Sequence, residues 1–461
     1  MEVFLDLPAY QGGPLRRRLE QEIRAAVQSG RLLAGAALPS TRVLAAQLGV
    51  SRGVVVEAYE QLVAEGYLTA RQGAGTVVAA RATAPVAAPR RVAPPPAGPL
   101  AARRYDFRYG TPDLSAFSRS AWLAAGARAL RALPDARLGY GDARGAIELR
   151  EALAAYLGRV RGVRADPELI VIGGGTRANL GVLWRVLRDS GAARVAIEDP
   201  GWPAQHQTAT QAGLQPVAVG VDEHGLRVDE LTALEDVSAV IVTPAHQCPT
   251  GAVLAPERRA ALLAWAQQRD ALIIEDDYDA EYRYDRDPIG ALQGIDPDRV
   301  IYAGSTSKTL IPALRLGWLV LPAQLAAAAT EHKSLADRGA GLFDQLALAD
   351  MITRGDLDRH LRRTRLRYHS RRSTLTQAVA TAMPDSHLTG ISAGLHAVLR
   401  LPATTNEQHA VTTAAKHDIA LAGLQRFCYS ATPPPALVLG YANITEPAIT
   451  RAIDQLAHAL Q

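Results

Sequence analysis

Apolar and polar positions in residues 14–64 follow the period of three short helices. In the first helix, predicted over residues 14–30, an apolar residue recurs at every fourth position: Leu15, Leu19, Ile23 and Val27. Ser40 is placed to cap a second helix, and Ser51 a third helix that runs to about residue 64. The link between these two helices is short, which is typical of a helix-turn-helix.

Two short strand-like runs follow the helices, at residues 67–70 and 76–79. The segment between them contains Gly73 and Gly75, which favour a hairpin turn. Three helices and a β-hairpin in this order predict a winged helix-turn-helix domain over residues 1–80.

A stretch with neither helical nor strand periodicity comes next. Residues 81–104 contain six prolines and no aromatic residue, so they cannot build a packed core. We therefore expect a semi-extended linker over residues 81–105. Since 461 residues exceed what one core usually supports, a second domain is expected over residues 106–461.

Beyond the linker, short apolar runs alternate with helical segments, which predicts an α/β domain with a mostly parallel sheet of about seven strands. Seven runs make up this predicted sheet: 169–172, 194–197, 216–221, 239–242, 272–274, 300–302 and 316–321. They belong to a large lobe over about residues 150–335. The remainder, about residues 336–461, is helix-rich with strand candidates at 396–401 and 436–441, and predicts a smaller α/β lobe.

The composition is that of a soluble globular protein, with 48% hydrophobic and 21% charged residues. No apolar run approaches the roughly 20 residues of a membrane span, and the N-terminus has no signal-peptide pattern. Two cysteines, Cys248 and Cys428, fit a reducing cytoplasm, and no group of His and Cys has metal-ligand spacing. The net charge is +4, and residues 1–105 hold an excess of six positive charges, a mild bias toward a polyanion.

Lys308 is conspicuous because the chain has only three lysines among its 50 Lys and Arg residues. A lysine amine can act as a nucleophile and form a Schiff base, whereas arginine stays protonated. Ser305, Thr306 and Ser307 precede it, directly after the strand predicted at 300–302. Small hydrogen-bond donors around a lysine suit an anionic carbonyl ligand such as pyridoxal phosphate. A solvated surface lysine is the alternative interpretation.

Tandem acidic residues follow the apolar run 272–274. Asp276, Asp277 and Tyr278 should therefore stand at the carboxyl end of a strand, where ligands bind in open α/β sheets. A carboxylate can keep a pyridine nitrogen protonated, and a Tyr hydroxyl can hold a neighbouring phenolic oxygen. Tandem acids can equally be metal ligands or plain loop residues.

Residues 173–176, Gly-Gly-Gly-Thr, close one predicted strand and open a helix. Free amides at a helix start can bind phosphate, although three glycines can also simply form a turn. Arg315 would add a cation for the same phosphate. Trp202, at the end of another predicted strand, can stack on an aromatic ring or pack within its own loop.

The runs LPSTR (residues 38–42) and LGVSR (residues 48–52) resemble the DNA-binding domain of GntR-type bacterial regulators. The resemblance covers nearly all of residues 10–80. It implies that five residues contact double-stranded DNA, three at helix N-termini and two in the wing: Arg42, Ser51, Arg52, Gln72 and Gly73. Val56 stands where some relatives carry a further basic residue, so this helix is expected to make few contacts with base edges.

The lysine, the acidic pair and the glycine-rich turn together resemble the fold-type I pyridoxal-phosphate aminotransferases, over roughly residues 106–461. The resemblance implies that Lys308 carries the cofactor as a Schiff base, with Asp276 on the pyridine nitrogen and Tyr278 on the ring oxygen. It also implies a set of residues around the phosphate: Gly175, Thr176, Arg177, Ser305, Ser307 and Arg315.

The same resemblance implies that Trp202 stacks on the cofactor ring. Tyr140 matches a tyrosine that reaches the phosphate of the partner subunit, so a homodimer is expected. Residues 243–251, TPAHQCPTG, match the segment where aminotransferases usually carry an Asn-rich NPTG motif. His246 and Gln247 replace the Asn here, and Gln247 is counted among the cofactor-binding residues.

Domain order, linker and the HQ-x-PTG variant resemble the MocR/GabR-like regulators, which fuse a GntR-type winged helix to an aminotransferase-like domain. This resemblance implies a cytoplasmic, nucleoid-associated transcriptional regulator. It would sense pyridoxal phosphate alone or as an external aldimine with an amine or amino-acid effector. Residues 435–443 lack the arginine that aminotransferases commonly carry there for a substrate carboxylate, and Arg426 or Arg400 is the candidate replacement.

A catalytically active aminotransferase that carries a DNA-binding domain is the main alternative. A DNA-binding protein whose α/β domain is only a dimerisation scaffold is the third. The missing Asn and the missing carboxylate arginine weigh against the enzyme, whereas the Lys, Asp, Tyr and Trp set weighs against the scaffold.

Overall fold

The computed structural model describes residues 15–71, 75–80, 103–284 and 289–460. The chain divides into two compact units, Met1–Ala101 and Ala102–Gln461. Most of the expected linker, residues 81–102, lies outside the described residues. In the part of the chain that the structure describes, no helix is long and apolar enough to cross a membrane.

The first unit consists of three helices and two strands: α1 (Leu15–Gln28), α2 (Thr41–Leu48), α3 (Arg52–Ala64), β1 (Leu68–Arg71) and β2 (Gly75–Val78). The strands pair antiparallel, with Leu68 opposite Val78. Three positions of the predicted apolar stripe of α1 are buried, whereas Leu15 at the start of the helix is exposed. These elements confirm the predicted winged helix-turn-helix.

The two predicted serine caps differ in their hydrogen bonding. Ser40 Oγ accepts a hydrogen bond from Val43 N–H (3.4 Å), and Gly49 ends α2 in the left-handed conformation with φ 66°. Ser51 precedes α3 as predicted, but its side chain makes no capping hydrogen bond. The Ser51 hydroxyl is therefore exposed and available to an external partner.

The second unit is an α/β domain. Its strands are β3 (Tyr105–Asp106), β4 (Ile170–Gly173), β5 (Arg194–Asp199), β6 (Gln215–Asp222), β7 (Gly225–Leu226), β8 (Val237–Val242), β9 (Leu272–Asp277), β10 (Val300–Ser305), β11 (Gly317–Val320), β12 (His387–Thr389), β13 (His396–Arg400), β14 (Ile419–Ala420), β15 (Ala422–Gly423) and β16 (Ala436–Gly440). Its helices are α4 (Arg119–Ala132), α5 (Ile147–Arg161), α6 (Thr176–Asp189), α7 (Pro203–Gln211), α8 (Val228–Thr232), α9 (Pro256–Arg269), α10 (Thr306–Thr309), α11 (Ala323–Asp337), α12 (Leu342–Thr353), α13 (Asp356–Ala382), α14 (Glu407–Lys416) and α15 (Glu446–Leu460).

The large lobe contains a sheet in the order β4-β11-β10-β9-β8-β5-β6-β7. The strands from β10 to β6 run parallel, whereas β11 pairs antiparallel with both β10 and β4. The seven predicted strands are all present, and the mostly parallel sheet is confirmed. The eighth strand, β7, has only two residues, too few for an alternating pattern to reveal.

The small lobe contains an antiparallel sheet in the order β12-β13-β16-β15. Its central strands, β13 and β16, are the two predicted from apolar runs, and both are almost wholly buried. Next to this sheet, β14 pairs with β3, the first strand of the unit.

The parallel strands β5, β8, β9 and β10 end at the same edge of the large sheet, because parallel neighbours share one direction. The polar residues that follow each of these strands are therefore brought together there. This edge contains the predicted site residues that follow β5, β9 and β10.

Candidate functional site

Lys308 lies in the short helix α10, directly after β10. Its Nζ donates a hydrogen bond to the Gly110 carbonyl oxygen. Gly110 has φ +78°, and a Cβ there would stand 2.8 Å from Lys308 Nζ, so a larger residue would displace the amine. Burial lowers the pKa of Lys308, against the opposing effect of Cys248 and the nearby carboxylates Asp279 and Asp276. The amine is therefore buried and is easier to deprotonate than a surface lysine.

Asp276 at the end of β9 is 5% exposed. Its Oδ2 accepts a hydrogen bond from Gln205 Nε2 (3.2 Å), while its Oδ1 is buried without any partner. Burial raises the pKa of Asp276 to about 7. A buried carboxyl oxygen without a donor costs free energy, which a ligand carrying an N–H could recover.

Asp277, the next residue, has a different environment. Its Oδ2 accepts hydrogen bonds from Arg161 Nε (2.7 Å) and from the Tyr302 hydroxyl (2.7 Å). Arg161 and Asp277 are both buried, so this pair belongs to the core of the domain.

Tyr278 contacts a buried histidine, which in turn contacts a buried aspartate. His246 Nδ1 lies 3.0 Å from Asp279 Oδ2 and 3.1 Å from the Tyr278 hydroxyl oxygen. An ionised Asp279 can only accept, so it selects the tautomer with the proton on Nδ1. Tyr278 then accepts from that same N–H, which leaves its own O–H to donate elsewhere. Burial raises the pKa of Tyr278 well above its ordinary value, so this proton is retained.

Gln247 is buried, and its side-chain amide forms hydrogen bonds with other groups of the protein. Nε2 donates to the Pro200 carbonyl (2.8 Å) and the Cys248 carbonyl (2.9 Å). Oε1 accepts from the N–H and the hydroxyl of Thr250. The side chain thus holds its loop together, and a direct contact between Gln247 and a cofactor stays a prediction.

Hydrogen-bond donors gather in a cup, called the donor cup below, where α6 and α10 begin. Gly175 precedes α6 with φ +92°, and the Arg315 guanidinium lies 3.3 Å from where a Gly175 Cβ would stand. Ser305 Oγ accepts from Ser307 N–H (3.0 Å) and donates to Ser307 Oγ (2.8 Å). Two helix N-termini, a guanidinium and two hydroxyls provide donors suited to phosphate.

Trp202 is partly buried at the start of α7, and the guanidinium of the exposed Arg177 lies 5.9 Å from its ring centroid. Tyr109, which precedes Gly110, lies close to Trp202 and Arg177, and burial raises its pKa to about 12. Neither Tyr109 nor Gly110 was predicted from the sequence. The signal in the sequence was a glycine followed by Thr-Pro shortly after the linker. This pattern indicates no more than a turn, and only the fold shows that it lies beside Lys308.

Three residues predicted from the sequence lie outside this buried cluster. Tyr140 is 91% exposed, with the Arg338 guanidinium 5.1 Å from its ring centroid. Arg400 donates to the Pro434 carbonyl (3.3 Å). Arg426, the other candidate for an effector carboxylate, is exposed near Tyr109.

The predicted DNA-binding residues that the structure describes lie at two helix starts. Arg42 is the second residue of α2, and Arg52 is the first of α3. Both side chains are exposed, as is Ser51. Gln72 and Gly73 of the predicted wing lie outside the described residues.

Comparison with known proteins matches both units. The family model for aminotransferase class I and II matches residues 110–456, and the model for bacterial regulatory proteins of the gntR family matches residues 15–78. The chain is 34% identical over 449 residues to the HTH-type pyridoxine biosynthesis transcriptional regulator PdxR of Corynebacterium glutamicum, covering 96% of this chain and 95% of that protein. It is 34% identical over 468 residues to the probable rhizopine catabolism regulatory protein MocR of Rhizobium meliloti, covering 97% and 94%.

A similarity to solved structures covers the second unit. An archaeal alanine:glyoxylate aminotransferase superposes with a TM-score of 0.72 and 27% identity, over 77% of this chain and 90% of that chain. The relatives with similarity over the whole length are thus named as regulators, whereas the similar solved structure is named as an enzyme.

Proposed function

We propose that this chain, which belongs to the aminotransferase class I and II family and carries a gntR-family DNA-binding domain, is a transcriptional regulator that senses pyridoxal phosphate. The aminotransferase-like domain binds the cofactor, and the winged helix-turn-helix binds double-stranded DNA. The effector is pyridoxal phosphate alone or pyridoxal phosphate joined to an amine or amino acid. The buried, partnerless Asp276 Oδ1 near the Lys308 amine is the observation that carries the sensor assignment.

The residues around the Lys308 amine fit pyridoxal phosphate. When bound, this cofactor supplies an aldehyde and an electron-withdrawing pyridinium ring. Lys308 would hold it covalently through Nζ, and Asp276 Oδ1 would accept a hydrogen bond from the protonated ring nitrogen. Tyr278 would donate its O–H to the ring oxygen, with His246 and Gln247 in the place of the usual Asn.

The donor cup would hold the phosphate. Its donors come from the start of α6, from α10 and from the guanidinium beside them: Gly175, Thr176, Arg177, Ser305, Ser307 and Arg315. Trp202 would stack on the ring.

We also propose that the protein is a homodimer. Large apolar side chains on and after α4 are exposed in the single chain: Leu123 is 70% exposed, Leu130 49% and Leu138 54%. Exposed apolar side chains near one another mark protein interfaces. Tyr140 lies two residues beyond Leu138 and would reach the phosphate of the partner subunit. A regulator of this kind works in the cytoplasm, at the nucleoid.

A catalytically active aminotransferase is the competing function. The aminotransferase fold, the lowered pKa of Lys308 and the paired acids favour it. Against it stand the missing Asn at 246–247 and the missing arginine at 435–443. A sensor requires the cofactor only to bind and to discriminate amines, whereas an enzyme requires repeated turnover.

The absorbance spectrum tests this proposal. Purified protein should be yellow, and Lys308→Ala should lose the visible band. Lys416→Ala is the matched control, because Lys416 is an exposed lysine of α14 and its replacement should leave the band unchanged. Mixing the yellow protein with amino acids and a keto acid should give no sustained product. Steady turnover would favour the enzyme, and a colourless wild-type protein that gains no band with added cofactor would reject the sensor.

A further inference from the structure

Helix α13 and the turn before it carry a concentration of positive charge. Residues 354–372 contain eight arginines and two acidic residues, an excess of six positive charges. Residues 106–461 as a whole have a net charge of −2, because the chain carries +4 and residues 1–105 already hold +6. Without this one segment they would carry −8. The positive charge of the second unit is thus gathered on one element.

Four of these arginines form an exposed face of α13, called the arginine face below. Arg359, Arg363 and Arg367 recur at every fourth position, and Arg362 lies one turn after Arg359; all four are exposed. At a rise of about 1.5 Å per residue, the face spans about 12 Å along the helix. The last two arginines of the segment are buried instead.

The acidic residues of this region are each paired with one arginine or more. Asp356 pairs with Arg359, and Asp358 pairs with an arginine of α5 (2.8 Å). Asp113, which contacts the same helix, pairs with Arg367 (2.7 Å). The carboxylates beside the arginine face are therefore taken up at its two ends.

The middle of the face keeps its full charge. Arg362 and Arg363 make no ion pair or hydrogen bond with the described residues. Arg363 lies four residues from both Arg359 and Arg367, and like charges at this spacing destabilise a helix by about 0.2–0.5 kcal/mol per pair. Water solvates an exposed guanidinium well, so the density of like charges, and not an unsatisfied group, favours a polyanion here.

Double-stranded DNA is the polyanion within reach of this face. The first unit matches the gntR family of DNA-binding regulators, and the expected linker tethers the second unit to it. A tethered surface meets the bound DNA at a high effective concentration, so even a weak contact forms. DNA presents roughly seven negative charges over the 12 Å of the face, since it carries one per about 1.7 Å of its axis.

We propose that the arginine face of α13 binds the phosphate backbone of DNA that flanks the site held by the first unit. The guanidiniums bind phosphate oxygens through paired hydrogen bonds, so the contact is independent of the base sequence. The aminotransferase-like domain is then a second DNA-binding surface as well as the cofactor domain. This inference rests on DNA binding by the first unit.

Two DNA duplexes test the proposal with the full-length, cofactor-loaded protein. The short duplex contains only the operator sequence, as defined by footprinting, and the long duplex extends it on both sides with unrelated sequence. The wild type should bind the long duplex at least about threefold more tightly. Arg362→Gln/Arg363→Gln should lose this advantage and bind the short duplex as the wild type does. On the long duplex, its slope of log affinity against log salt should fall by about 2 per chain.

Two further variants separate a phosphate contact from a loss of folding. Arg362→Lys/Arg363→Lys keeps both charges and should keep the wild-type salt slope. Arg185→Gln/Arg269→Gln removes two exposed cations from α6 and α9 and is the matched control, which should keep the preference for the long duplex. The visible band and the melting temperature should be the same in all variants.

The proposal is overturned if the wild type binds both duplexes equally, or if Arg362→Gln/Arg363→Gln keeps the preference for the long one. Equal binding is also the result expected if the arginine face serves an acidic protein instead of DNA. A protein that binds neither duplex would reject DNA binding by the first unit, whereas equal and tight binding of both would reject only the arginine face.

Discussion

At the scale of single residues, Asp276 and Asp277 show how adjacent acids acquire different roles. Successive side chains of a strand point to opposite faces, so the two carboxylates of β9 meet different partners. Asp277 forms a buried ion pair with Arg161, although its Oδ1 also lacks a hydrogen-bond partner. Asp276 has an oxygen without a partner, no ion pair among the described residues, and a pKa raised to about 7. A buried carboxyl with a perturbed pKa and no ion pair indicates a ligand site.

Replacing Asp276 by Asn should weaken cofactor binding. The variant loses the charge-assisted hydrogen bond to the ring nitrogen, worth about 1.5–3 kcal/mol, so the dissociation constant for pyridoxal phosphate should rise roughly 10- to 150-fold. Titration of the visible band measures this constant. Asp277→Asn is the control: it should lower the melting temperature through its lost pair with Arg161, with little change in cofactor affinity. Equal affinities in wild type and Asp276→Asn would contradict the assignment.

The same variant should change the pH dependence of stability in the cofactor-free protein. The folded-state pKa of Asp276, about 7, lies above its ordinary value of 3.8, so the unfolded chain releases the proton first. Stability therefore falls as pH rises from about 4 to 7, by up to about 1.4 kcal/mol per pH unit for this group. In Asp276→Asn the free energy of unfolding, measured in urea across this window, should depend less steeply on pH. An unchanged slope would show that Asp276 titrates normally.

The sequence identified the chemically distinctive residues but not all of their neighbours. Lys308, Asp276 and Tyr278 could be predicted because a rare lysine and tandem acids follow apolar runs. Gly110 could not, since its carbonyl meets Lys308 only through contacts 198 residues apart in the chain. The hydrogen-bonding contacts of His246 with Tyr278 and Asp279 could not be predicted either, because these residues are also distant in the sequence.

At the scale of elements, the start of α6 combines a glycine with positive φ and the backbone amides that are predicted to bind phosphate. Gly175 has φ +92°, which side-chain-bearing residues rarely adopt, and a Cβ there would lie 3.3 Å from the Arg315 guanidinium, so Gly175→Ala should strain the backbone by about 1–3 kcal/mol. We expect a lower melting temperature and weaker binding of pyridoxal phosphate. Gly181→Ala, inside the same helix with open space around it, should instead stabilise by about 0.5–1 kcal/mol. Thermal unfolding with and without cofactor compares them, and equal effects of both variants would contradict this role for Gly175.

Which elements could be predicted depends on what stabilises them. The central strands β8, β9 and β10 are buried on both faces and therefore appear as continuous apolar runs. β7, β14 and β15 have two residues each. β7 and β15 pair with the longer strands β6 and β16, and β14 pairs with the equally short β3. Their sequences carry no period of their own.

At the scale of the whole molecule, the chain joins two units with separate cores. Buried residues of α1, α2, α3 and the two strands of the first unit form one apolar cluster, and all of its members that the structure describes belong to that unit. The composition of residues 81–104 had predicted a linker here, and most of that stretch lies outside the described residues. DNA contacts and cofactor chemistry should accordingly respond to separate mutations.

Arg52→Ala should therefore weaken DNA binding without affecting the cofactor. Arg52 begins α3 with an exposed side chain, where a helix N-terminus and a guanidinium both favour phosphate. Removing one phosphate contact should weaken binding about evenly across sequences and reduce the slope of log affinity against log salt by about 1. Gel retardation of the promoter over a salt series measures both quantities, while the visible band should stay unchanged. Arg17→Ala, an exposed arginine on α1, is the matched control. If Arg52→Ala retained promoter DNA at moderate salt as the wild type does, the N-terminus of α3 would not be a DNA contact.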